Sequence, residues 1–209
     1  MKRLLLLSLL SLLSFSAMLL PVSMEGANAS ALPSVCIDPG HGGSDPGTSN
    51  RGILEKDLNL DVANRLTALL RAGGYTVYQT RTLDQTLSNN DRYTFCNAQQ
   101  TTILVSVHHN GSSNPAVDYS MALYMKKPDV SLARALVDAV AGELHLPNNG
   151  ISRFSSGVLL KSTMPAAISE GFFLTSSSEY ALLTDPNSTR GQDEAQALYN
   201  GIVAYFARR

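Results

Sequence analysis

The sequence predicts an α/β fold in which a single domain is organised around a mixed, mostly parallel twisted sheet with helices on both faces. Three observations predict it. Short apolar runs alternate along the chain with stretches whose apolar residues recur at helical spacing, the order that builds a sheet covered by helices. The run Ile103-Leu104-Val105-Ser106-Val107 is almost continuously apolar, as strands are when both faces are packed. With 209 residues, 44% of them apolar, the chain can bury one sizeable core without splitting in two.

The first residues stand outside that pattern. Lys2 and Arg3 lead into an apolar stretch, residues 4–20, and the small residues Ala27, Asn28 and Ala29 follow. That order reads as an export signal over residues 1–29, cleaved after Ala29 or Ala31, with residues 30–33 as a short tail before the domain at 34–209. An uncleaved anchor is the alternative, because an apolar run of about seventeen residues lies at the short edge of what spans a bilayer. After cleavage no stable membrane span is expected, and the protein belongs in the periplasm or outside the cell, against the wall.

Within the domain, Ser34-Val35-Cys36-Ile37 is an apolar run stopped by Asp38-Pro39-Gly40, a buried strand ending in a turn. Residues 41–52, rich in glycine and poor in apolar side chains, read as a loop. From 56 to 72 the apolar residues Leu58, Val62, Leu66, Leu69 and Leu70 mark a helix closed by Gly73-Gly74. A strand over 75–80, a helix over 90–100 and the apolar strand 103–107 come next. They are followed by a strand at 120–125, a helix at 131–144, a strand at 166–168 and a helix at 188–207.

Charge excludes some partners. Lys plus Arg number 16 and Asp plus Glu 17, a formal net charge of −1, so no field points to nucleic acid or anionic lipid. Cys36 falls in a strand and Cys96 in a helix. Export permits a disulfide between them, but the reading favours two buried thiols acting as small hydrophobes.

Three potential metal ligands stand at the ends of these elements: His41 after the first strand, Glu55 at the start of the first helix and His108 after the third strand. Sites in open α/β sheets form beyond the carboxyl ends of the strands, where such residues converge. Two imidazoles and a carboxylate leave a fourth tetrahedral position for water on a catalytic zinc. Read alone, the residues reach metal-assisted amide or ester hydrolysis and no further.

The strings that hold these residues are specific. Val35-Cys36-Ile37-Asp38-Pro39-Gly40-His41-Gly42-Gly43-Ser44-Asp45-Pro46-Gly47, then Glu55, then Ser106-Val107-His108-His109-Asn110-Gly111 resemble the zinc-dependent N-acetylmuramoyl-L-alanine amidases. So do residues 159–168 and the string Ser169-Glu170-Gly171-Phe172-Phe173-Leu174-Thr175, and the resemblance covers residues 34–207. It implies Zn2+ as cofactor with His41, Glu55 and His108 as ligands, and Glu170 as general base and acid. It also implies peptidoglycan as substrate, cut between N-acetylmuramic acid and L-alanine. Alternation along a strand turns His108 and His109 to opposite faces, and the resemblance puts the ligand at His108. Around Glu170 the chain departs from the family's commonest pattern: Gly171 follows directly where many members have an apolar residue.

Asp38, Asp45, Asn110 and Arg81 are further candidates beside the ligands or the substrate. Asp38 would orient a ligand histidine or, equally, start a turn before Pro39. Arg81 and Arg92 read first as surface ion pairs, and Glu143 and Glu179, the rivals of Glu170, as solvated. The segments between His108 and residue 131 and between Leu144 and Val158 are too short to hold an inserted helix over the metal. No activator protein is therefore expected, and a monomer is the default. A zinc deacetylase acting on wall sugars and a non-catalytic wall-binding protein on the same scaffold are the alternatives.

Overall fold

The computed structural model describes residues 32–209. The expected signal and its cleavage points lie outside the described residues; among those that are described, no helix is long and apolar enough to cross a membrane. In chain order the elements are β1 (Ser34–Pro39), β2 (Ser49–Asn50), β3 (Ile53–Leu54), α1 (Glu55–Ala72), β4 (Thr76–Gln79), α2 (Asn89–Ala98) and β5 (Ile103–Asn110). There follow β6 (Ser120–Tyr124), a 3-10 turn (Lys127–Asp129), α3 (Val130–Leu144), β7 (Asn148–Arg153), α4 (Gly157–Lys161), β8 (Ala166–Phe173), α5 (Ser177–Thr184) and α6 (Arg190–Ala207).

Six strands form one sheet in the order β4-β1-β5-β8-β6-β7, and β2 pairs with β3 in a small hairpin. The pairs β4/β1, β1/β5, β5/β8 and β6/β7 are parallel, while β6 runs antiparallel to β8, so the sheet is mixed and mostly parallel. Alternation sorts the side chains. Val35, Ile37, Ile103, Val105 and Val107 pack with Val62, Leu66 and Leu70 of α1 and with α3 and α6. Cys36, Leu104, Ala166 and Ile168 point the other way, against Cys96 of α2 and Val158 and Leu159 of α4. Each fully buried leucine contributes about 1.5–3 kcal/mol. α1 ends as the glycine pair suggests: Gly74 takes φ +85° and its N–H bonds to the Arg71 carbonyl at 3.0 Å.

Several elements differ from expectation. β7 escapes the sequence reading because its sequence, NNGISR, is mostly polar and largely exposed, the mark of an edge strand. α4 and α5 are too short for a helical period to show, and both start from a serine that caps a backbone N–H. Glu179 is buried, where a solvated face was expected; the Arg190 guanidinium pairs with it, Nε donating at 2.7 Å. Glu143 is exposed as expected. The two cysteines are joined rather than free: Cys36 and Cys96 form a disulfide with Cα atoms 5.8 Å apart. Both point into the layer between the sheet and α2, so the docking of α2, which no local pattern encodes, decides the pairing.

Candidate active site

The site lies at the carboxyl edge of β1, β5 and β8. The backbone N–H of Gly40 still bonds to the Val107 carbonyl at 3.0 Å, so the chain leaves the sheet alongside β5. His41 then takes φ 59°, a left-handed conformation that costs a non-glycine residue on the order of 1–3 kcal/mol and persists where surrounding contacts over-determine it. A side chain on Gly40 would collide with the His108 ring, so only glycine lets the two histidines approach. α1 begins at Glu55, whose carboxylate is 3% exposed and takes the Thr48 N–H on Oε2 at 2.7 Å.

The structure brings His41, Glu55 and His108 together. Glu55 Oε1 lies 3.2 Å from His41 Nε2 and 3.1 Å from His108 Nδ1, and the three donor atoms all fall within 4.8 Å of one another. Zinc bonds of about 2.0–2.1 Å to nitrogen and oxygen make tetrahedral edges of roughly 3.3 Å, so the two edges at Glu55 match those of the ion and the donor types suit it. Asp45, one of the sequence's candidates beside the ligands, fixes one ring: its Oδ2 accepts from His41 Nδ1 at 2.8 Å, which turns Nε2 toward Glu55. Burial opposes ionisation of Glu55, but His108 and His41 outweigh it and hold its carboxyl far below the usual range.

β8 sets Glu170 in register with His108, across a parallel pair, and β6 flanks it on the other side at Met121. Burial pushes its carboxyl above the usual range; His108 opposes that shift and Glu55 adds to it. A carboxyl so placed can take up and return a proton nearer neutral pH than an exposed one. His109 points to the opposite face. It is 2% exposed, with Nδ1 2.7 Å from Asn59 Oδ1 and Nε2 2.8 Å from Glu194 Oε2, so His108 alone faces the site.

Asp38, Arg81 and Arg92 are brought close but differently from expectation. Asp38 touches no ligand histidine. It accepts from Thr80 Oγ1 at 2.6 Å, Arg92 Nη1 at 2.8 Å and Ser106 Oγ at 2.7 Å, wholly buried. Burial would raise its pKa, but Arg92 with the two hydroxyls overcomes it and holds the carboxyl low. Arg81 is 2% exposed rather than at the surface, and donates to the carbonyls of Pro39, Gly40 and Lys56 at 3.0, 2.9 and 2.7 Å. Arg92 likewise reaches the Pro39 and His41 carbonyls at 2.7 Å. Both arginines thus clamp the loop that carries His41. Asn110 ends β5, its side-chain oxygen accepting the Gly111 N–H at 2.9 Å.

A cavity of about 250 Å³ opens beside His41 and His108 on the α2/α4 face. Leu87, Asn89, Ser156 and Val158 line it, and Phe154, 50% exposed, stands at its rim.

A family model described as N-acetylmuramoyl-L-alanine amidase matches residues 35–204. The N-acetylmuramoyl-L-alanine amidase LytC of Bacillus subtilis is 30% identical over 176 residues, which are 82% of this chain but only 35% of LytC. Among solved structures, the amidase AmiC2 of Nostoc punctiforme superposes with a TM-score of 0.78 at 29% identity, over 84% of this chain and 98% of AmiC2. An N-acetylmuramoyl-L-alanine amidase from Clostridium difficile 630 gives 0.79 at 31% identity, over 86% of this chain and 100% of that one. A match that runs from β1 into α6, on an architecture shared with solved amidases, leads to one conclusion: this chain belongs to the N-acetylmuramoyl-L-alanine amidase family.

Proposed function

We propose that the chain is an exported, zinc-dependent N-acetylmuramoyl-L-alanine amidase that hydrolyses the amide between the lactyl carbonyl of N-acetylmuramic acid and L-alanine in peptidoglycan. One observation carries the reading: His41 Nε2, Glu55 Oε1 and His108 Nδ1 converge beside a cavity that both histidines line, with Glu170 in register beside His108. Those three side chains would hold the ion. When bound, zinc polarises the scissile carbonyl and brings the pKa of a water to about 7. Glu170 accepts the proton of the attacking water on its carboxylate and returns it to the leaving nitrogen. A C–O bond forms, the C–N bond breaks, and the products are a lactyl carboxylate and a free L-alanine amine.

The cavity is chemically neutral. The charges of Asp38 and Arg92 are spent on each other and on backbone carbonyls, and the Asp45 carboxylate is engaged with His41. With Phe154 at its rim and the Asn89 amide and Ser156 hydroxyl in its wall, it suits the uncharged amino sugar better than the stem peptide, which carries carboxylates. An ungated site that needs no activator belongs to this reading, supported by the cavity opening to solvent beside His41 and His108, and a monomer is its default state.

Mass spectrometry of peptidoglycan digested by the purified zinc-loaded protein tests the reading. Released stem peptides with a new L-alanine N-terminus and intact glycan strands are expected, and a chelator should abolish their release. Acetate release with the peptides still attached would replace the amidase by a deacetylase, and binding without products would replace it by a wall-binding protein. Activity that appears only after a second protein is added would remove the monomeric, ungated reading.

A further inference from the structure

Behind the ligand set, on the sheet face away from the cavity, lies a line of buried polar side chains that the reaction does not use. Glu55 Oε1, the oxygen nearest both histidines, also accepts the backbone N–H of His109 at 3.1 Å. Asn59, one turn along α1, donates to the Gly40 carbonyl at 3.1 Å and more weakly to Glu55 Oε1 at 3.4 Å. With its nitrogen spent on these acceptors, Asn59 presents Oδ1 to His109 Nδ1, so the ring donates there. The other ring nitrogen meets Glu194, a carboxylate of α6 with no solvent exposure.

Glu194 is a costly residue at this point of the core. Its Oε1 has no hydrogen-bond partner among the described residues, and a charge pair in such a place is generally no more stable than an apolar filling of the same volume. The fold nevertheless makes room for it. A side chain at position 171 would collide with Glu194 Oε1, and Gly171 does not have a left-handed φ, so glycine stands there for space and not for backbone freedom. A bulge in the β5/β8 pairing just past Glu170 accompanies this, and the Phe172 ring packs on His109 with centroids 4.4 Å apart. The unusual Gly171 beside Glu170 and the buried His109–Glu194 pair between β5 and α6 are one feature.

We propose that His109 and Glu194 are positioning residues for the metal site. The carboxylate fixes the His109 ring, the ring fixes Asn59, and Asn59 ties the Gly40 carbonyl to α1 one turn beyond Glu55, so that His41 and Glu55 are held at the spacing zinc requires. This rests on the reading of His41, Glu55 and His108 as zinc ligands. Partners one shell behind the ligands typically change metal affinity about 10–100-fold when removed.

The experiment measures zinc affinity by competition with a chromophoric chelator, together with the melting of the zinc-free protein. The variants are Glu194→Gln, Glu194→Ala and the double variant Gly171→Ala/Glu194→Ala, which refills the vacated space with a methyl group. The expected result is a zinc dissociation constant raised about 10–100-fold in Glu194→Ala and in the double variant, and less in Glu194→Gln, which keeps the shape and an acceptor. The zinc-free double variant should melt no lower than wild type. A folded double variant that binds zinc within about twofold of wild type, well under the effect expected of such partners, overturns the proposal and leaves the pair a packing feature. A wild-type protein that takes up no zinc overturns the metal reading instead.

Discussion

Glu170 and His108 are register partners on adjacent parallel strands, so one backbone pairing sets the distance between the two side chains. On the proposed reading the sheet itself aligns the general base with a metal ligand. Replacing Glu170 with alanine should lower kcat by about 10²–10⁴-fold while zinc stays near one per chain. Turnover of a muropeptide and metal analysis of the same sample check this; a variant that also loses its zinc would make Glu170 a ligand and not the base.

Asp38 and Arg92 form a buried pair under the His41 loop, and the sign of their pH dependence follows from the lowered Asp38 pKa. A carboxyl depressed in the folded state contributes stability that is complete above its unfolded value of about 4 and is lost as pH falls toward the folded value. Melting temperature should therefore fall below about pH 4 in the wild type. Arg92→Met leaves the Asp38 charge buried and unpaired, which costs about 3–5 kcal/mol at neutral pH. In that variant the Asp38 contribution reverses, and acidification restores part of the loss. Thermal melts of both proteins from acid to neutral pH decide it.

The Cys36–Cys96 bond closes a loop with a sequence separation of 60, for which chain entropy gives about 4 kcal/mol as the stabilisation to be lost on reduction. A reducing agent, or the variant Cys36→Ala/Cys96→Ala, should lower the denaturant midpoint accordingly. An unchanged midpoint would mean that packing between β1 and α2 suffices.

Phe154 offers a half-exposed aromatic face at the cavity rim, and truncating it should weaken only what sits there. Phe154→Ala is expected to raise KM about 5–20-fold for a muramyl peptide, the scale of one lost aromatic contact of roughly 1–2 kcal/mol, and Phe154→Tyr should restore it. KM for a lactyl peptide without the sugar should not change. Equal losses on both substrates would place the peptide, and not the sugar, in the cavity.

Periodicity and end signals carried the long elements: α1, the helix over α3, α6 and the apolar strands all stand within a few residues of where the sequence puts them. The same reading left out β7, α4 and α5, which are an edge strand and two helices too short to express a period. His41, Glu55, His108 and Glu170 were legible because each lies near an element end or within a specific string, and the sheet edge gathers such positions without long-range information. The fold class, and the meeting of these four side chains at the sheet edge, are thus what the sequence determined by itself. Tertiary structure alone decided the rest. It paired Cys36 with Cys96, buried Arg81, Arg92 and Glu179, and gave to Asp45 the orienting role expected of Asp38. It also set Glu194, in the second turn of an amphipathic helix, against His109 on the far side of the sheet. The physical reason is common to all of these: a buried polar group is specified by the partner that satisfies it, and that partner lies on another element, at a sequence distance no local pattern can span.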